Sequence, residues 1–99
     1  MANTQNNSVN ETNIDGNNSL QIYPNPNNAQ SSLNIDINAE EQGSIIITDV
    51  LGKQLFAKLI NKGSTNLSTT KSELNISAGV YFVTLQLNKK TITQKLIIN

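Results

Sequence analysis

From Leu20 onward, apolar and polar residues alternate in short runs separated by turn residues, the pattern of half-buried β-strands. The first run, residues 20–23, is stopped by Tyr23-Pro24-Asn25-Pro26, because two prolines lack ladder donors and push their preceding residues into extended geometry. Residues 32–38 place Leu33, Ile35 and Ile37 on one face. Residues 45–48 and 53–60 flank Asp49-Val50-Leu51-Gly52, whose Asp in first and Gly in fourth place suit a type I turn, so a hairpin is expected there. Lys62-Gly63-Ser64 turns into a short strand at 65–68, and the less regular stretch 70–77 should tuck Leu74 and Ile76 under a loop. Ala78-Gly79 opens the strongest strand, 80–87, with Tyr81, Val83, Leu85 and Leu87 sharing a face. Asn88-Lys89-Lys90 leads into the last, 91–98, with Ile92, Leu96 and Ile98 inward and Thr91, Thr93 and Lys95 outward. Helix is favoured nowhere.

About seven strands joined by short connections pack most naturally as two antiparallel sheets around one core, so the expected class is an all-β sandwich, with a small barrel as the alternative. Residues 1–19 differ: Asn, Thr, Gln, Ser and acid, with Val9 and Ile14 isolated and without a period. That composition predicts a disordered Asn-rich linker ahead of a single domain at 20–99. The chain of 99 residues holds one small domain at most.

Composition narrows the chemistry. His, Cys, Trp and Arg are all missing. There is no Ser-His or Cys-His nucleophile, no side chain titrating near neutrality and no zinc ligand other than carboxylates, so no enzyme activity, cofactor or metal is expected. Stability must come from apolar burial without a disulfide or zinc staple. No basic segment followed by an apolar one opens the chain, so no signal peptide is read here and any such peptide would belong to a longer parent. The longest apolar runs fall far short of the roughly 20 residues of a membrane helix. The net charge is zero, yet residues 1–50 carry six carboxylates and no lysine, while 51–99 carry seven lysines against Glu73. Either strands of the two halves intermix and these charges only solvate the surface, or the C-terminal lysines form a face for an acidic partner. Nucleic acid is excluded by the missing Arg and the scarcity of aromatic residues.

Paired carboxylates are the remaining catalytic option. Glu40 and Glu41 are adjacent in a loop, Asp49 caps a turn, and Asp36 lies on the outward face of its strand. The scattered Ser and Thr residues have no base to activate them. A carbohydrate platform needs exposed aromatics, of which Phe56 and Phe82 could face outward, whereas Tyr81 faces inward.

Four segments carry a resemblance: Ile22-Tyr23-Pro24-Asn25-Pro26, the Asp49-Val50-Leu51-Gly52-Lys53 turn, Ser77-Ala78-Gly79-Val80-Tyr81-Phe82-Val83, and Lys95-Leu96-Ile97-Ile98 just before the last residue. Together, in this order and spacing, they resemble the C-terminal sorting domain of type IX secretion cargo (type A, the Por secretion tail), over residues 20 to 99. The residue after Gly52, often Arg in that family, is Lys53 here. The resemblance implies an Ig-like β-sandwich of Bacteroidota that addresses cargo to the outer-membrane translocon. A surface sortase then typically removes it, and the cargo is released or attached at the cell surface. It implies passage through periplasm and outer membrane, translocon and sortase components as partners, and a monomer. The alternative is a non-catalytic adhesion or carbohydrate-binding module on the same sandwich.

The motif positions carried over are Pro24, Asn25 and Pro26 in the first turn, Gly79 and Tyr81 opening the sixth strand, and Lys95 in the last. Each also has a structural role to play: the prolines as a rigid turn, Gly79 as a site of positive φ or close approach, Tyr81 as core. Lys95 and the edge of the last strand are the expected points of direct contact, with strand addition at that edge as one mode. The Asn-rich stretch before Leu20 is where cleavage would fall.

Overall fold

The computed structural model describes residues 12–28 and 32–99. Among the described residues, eight strands form two antiparallel sheets packed as a sandwich: β1 (Thr12–Asp15), β2 (Asn18–Tyr23), β3 (Leu33–Ala39), β4 (Gly43–Asp49), β5 (Gln54–Ile60), β6 (Gly63–Thr69), β7 (Gly79–Gln86) and β8 (Thr91–Ile98). One sheet runs β1-β2-β3-β6 and the other β5-β4-β7-β8. The connection from β5 to β6 crosses from one sheet to the other, as immunoglobulin-class sandwiches require.

All seven strands expected from the alternation are present, and the core is the set of inward residues that it marks. Leu20, Ile22, Leu33 and Ile35 from one sheet meet Ile45, Ile47, Val83, Leu85 and Leu96 from the other, each essentially without solvent contact. The Asp49 turn forms as expected: Gly52 N–H donates to the Asp49 carbonyl at 3.0 Å, and the Asp49 carboxylate accepts from Leu51 N–H and Lys53 N–H, each at 2.9 Å. One irregularity bends this hairpin, a register shift between Ile47 and Thr48 that leaves Leu55 as the extra residue.

Two expectations need correction. Residues 1–11 of the expected linker lie outside the described residues, but 12–19 belong to the β1–β2 hairpin, closed by Gly16-Asn17 with Gly16 at φ +65°. β2 shows the alternation through Leu20 and Ile22, but β1 carries none, so only the Gly-Asn loop signalled this hairpin. The stretch 70–77 holds a short helix, α1 (Lys71–Leu74). Its signal is a capping box, Thr70-Lys71-Ser72-Glu73: the Thr70 hydroxyl accepts from Glu73 N–H at 3.1 Å, and Asn75 closes the helix in left-handed geometry. Leu74 and Ile76 do pack against the core from this segment.

The two outer faces differ. Across β2, β3 and β6 the outward positions are polar: Gln21 and Tyr23, then Asn34, Asp36 and Asn38, then Asn66, with serines at the ends. The outward positions of the other sheet mix apolar residues (Ile46, Ala57, Leu59, Val80, Phe82 and Ile97) with threonines, Ser44, Gln54, Gln86 and Lys95, and no carboxylate stands among them.

Candidate functional site

The motif segments, far apart in sequence, converge on β8. Its hydrogen-bonded neighbour on one side is β7, which pairs Gly79 with Ile98 and Tyr81 with Leu96. On its other side the strand would be an open edge, but the segment after β2 covers it. The Asn25 side chain bridges two backbone groups there: Nδ2 donates to the Lys95 carbonyl at 2.7 Å, and Oδ1 accepts from Ile97 N–H at 3.0 Å. Asn27 continues the pairing through its backbone, in a parallel bridge opposite Ile98. Its N–H donates to the Ile97 carbonyl at 2.7 Å, and its carbonyl accepts from Asn99 N–H at 2.8 Å.

This clasp explains the local sequence. Tyr23-Pro24 and Asn25-Pro26 are both cis, and the half-buried prolines flank Asn25, which is itself buried. An amide is the side chain that offers one donor and one acceptor in the spacing of a backbone, so Asn25 acts as a substitute strand residue. Strand addition at this edge, expected as one mode of contact, is blocked between Lys95 and Asn99 because these groups are already paired. Asn27 was not singled out by the sequence, yet it is 1% exposed and carries half of the clasp.

On the other side of β8, Tyr81 is buried and its hydroxyl donates to the Ser77 carbonyl at 2.7 Å, tying the start of β7 to the loop that follows α1. Immunoglobulin-class sandwiches use a tyrosine in the same way at the start of the corresponding strand. Gly79 has φ +155°, which an L side chain rarely adopts, and the Tyr81 ring lies against the space where a Cβ would stand, at 3.8 Å. Five of the six motif residues are thus built into the framework around β8. Lys95 is exposed, and among the described residues its ammonium group makes no ion pair.

The first motif tyrosine has its own partner. Tyr23 O–H donates to the Asp36 carboxylate at 2.9 Å, and the Asn66 amide donates to the same carboxylate. The bond to Asp36, then partial burial and the charge of Asp36, raise the Tyr23 pKa above its ordinary value of 10.0. A phenol whose folded pKa is raised contributes stability fully below its unfolded pKa and loses it as pH rises through the folded value. Tyr23→Phe should therefore melt lower than the parent at pH 7 and show a shallower fall in melting temperature above pH 10. Parallel melting curves across that range would refute this.

The carboxylates weighed for catalysis fasten loops. Glu40 Oε1 accepts from Asn17 N–H at 3.3 Å and Glu41 Oε2 accepts from Asn88 N–H at 2.6 Å. Phe56 is turned toward the core and Phe82 is half-buried on the outer face.

Residues 21–99 match the family model of the secretion system C-terminal sorting domain. The chain belongs to that family. No match to a curated protein was found. The sorting domain is a C-terminal signal for type IX secretion, a targeting tag recognised by that machinery and a mark of export across the outer membrane to the cell surface or beyond. The family implies a source among Bacteroidota, and an adhesion or carbohydrate-binding role is not favoured. Among the described residues, no helix is long and apolar enough to cross a membrane.

Proposed function

We propose that the sorting domain works as a folded, non-catalytic address, in which the clasped β8 strand holds Lys95 out for the type IX machinery. The observation that carries this reading is the meeting of Pro24-Asn25-Pro26, Gly79, Tyr81 and Lys95 around a single strand. Asn25 and Tyr81 fix the strand, and Lys95 is the member left free to be touched. In this reading the domain crosses from the periplasm as a monomer. A surface sortase then removes it by cleavage ahead of the β1–β2 hairpin, leaving the cargo released or anchored.

The test separates display from folding. Lys95 is exposed, and surface substitutions change stability by no more than about 0.5 kcal/mol. Lys95→Ala is expected to melt with the parent and to lower secretion of a fused reporter. Secretion equal to the parent's would show that Lys95 is only a solvated side chain.

A further inference from the structure

The outer face of the β5-β4-β7-β8 sheet has a composition that the fold does not require. On β4 Ile46 points outward; on β7 Val80 and Phe82 do; on β8 Ile97 and Lys95 do. In register, Phe82 stands opposite Lys95 and Val80 opposite Ile97, while Ile46 lies diagonal to Phe82 through the Thr48–Phe82 and Ile46–Thr84 pairs. Leu59, 70% exposed on β5, extends this apolar stripe toward the far edge. The sandwich does not need the stripe, because the opposite sheet presents only polar residues outward across β2, β3 and β6. A stripe of half-buried apolar residues on one face of a small domain, with the exposed Leu59 beside it, marks a contact surface.

We propose that this face, with Lys95 at its margin, is the surface by which the sorting domain docks on a protein that presents apolar side chains beside a carboxylate. The inference rests on the secretion-signal reading and assigns it a surface. Charge selects the partner. Lys95 is the only charged residue at the outward strand positions of this sheet, and among the described residues no ion pair neutralises it. A single cation at the margin of an apolar patch fits one carboxylate on a protein. An anionic membrane or polyphosphate surface is gripped by clusters of basic residues instead. Threonines at 48, 84 and 93 interrupt the stripe and give the patch the mixed apolar and hydrogen-bonding character of a separable protein interface.

The experiment uses a signal-peptide-bearing reporter fused to residues 1–99 in a type IX host, with melting temperatures measured on the purified domains. Ile46→Thr/Phe82→Thr keeps β-branched or strand-compatible side chains, and Gln21→Thr/Asn38→Thr is the matching change on the opposite face. The first pair should lower the secreted fraction at least about fivefold, the scale of removing a central contact residue, and the second should leave it unchanged. Leu59→Thr, at an exposed position, gives the same test where the first pair lowers the melting temperature. Lys95→Arg should be secreted, Lys95→Ala less so and Lys95→Glu least. Secretion like the parent's from both Ile46→Thr/Phe82→Thr and Leu59→Thr would overturn the proposal, and so would Lys95-dependent flotation of the domain with phosphatidylglycerol vesicles. A reporter lacking residues 20–99 distinguishes the two failures: if it is still secreted, the signal reading itself falls.

Discussion

Truncating Asn25 to Ala should lower the melting temperature by about 10–20 °C. The Asn25 amide satisfies the Lys95 carbonyl and the Ile97 N–H in a buried position, and each group left without a partner costs about 1–3 kcal/mol. Losing both therefore removes about 2–6 kcal/mol, and since about 1 kcal/mol moves the midpoint of a domain of this size by about 4–8 °C, the expected fall corresponds to the lower part of that range. Asn61, exposed in the connection between β5 and β6, is the control, and Asn61→Ala should melt with the parent. Because the clasp orders the strand that carries Lys95, Asn25→Ala should also reduce reporter secretion. An unchanged midpoint would mean that β8 holds its place without the clasp.

Leu96→Ala is the second large effect. Leu96 is fully buried between the sheets and stands opposite Tyr81 on β7. Removing a buried Leu side chain costs about 2–5 kcal/mol, the upper part applying where neighbours cannot collapse into the space. Here the neighbours are strand residues held by ladders on β2, β7 and β8, so little relaxation is available. Both stability and secretion should fall, in contrast to Lys95→Ala one residue earlier, where only secretion falls. The adjacent pair therefore separates the address from the fold that displays it. A Leu96→Ala domain that melts like the parent would place the core elsewhere.

What the sequence made legible is what period alone determines. Alternation set the inward faces of β3, β7 and β8, and the outward placing of Lys95 follows from Leu96 and Ile98 facing in. The Asp49 turn was legible because Asp and Gly stand where that turn needs them. The β1–β2 hairpin was legible only in β2, through Leu20 and Ile22, because β1 carries no apolar alternation. Helix α1 was missed because its four residues are too few to show a helical period, although Thr70 and Glu73 mark its cap. Period 2 puts residue 94 on the inward face of β8 beside Ile92 and Leu96, but no pattern predicted that a buried Gln would fill it.

The candidate site divides the same way. Tyr81 as core and Gly79 as a backbone necessity followed from residue type and position. The clasp did not, because a chain crowded with Asn gives no sign of which amides are buried and which are solvated. Asn25 and Asn27 acquire their role only when β8 arrives beside them, some 70 residues later, as the Asn25–Lys95 separation shows. The charge asymmetry was visible as an excess of lysine after residue 50, but its placement was not. The fold puts three of the four strands of the second sheet in that half of the chain, and Lys95 on its outer face.

The most direct test of the central claim is secretion of an otherwise periplasmic reporter carrying residues 1–99 at its C-terminus, in a type IX host and in the same host with the translocon disabled. The reporter is expected outside the cell or on its surface in the first and retained in the periplasm in the second. A reporter that stays periplasmic in both hosts, while its C-terminal domain is folded by melting analysis, would contradict the assignment of this sandwich as a sorting signal.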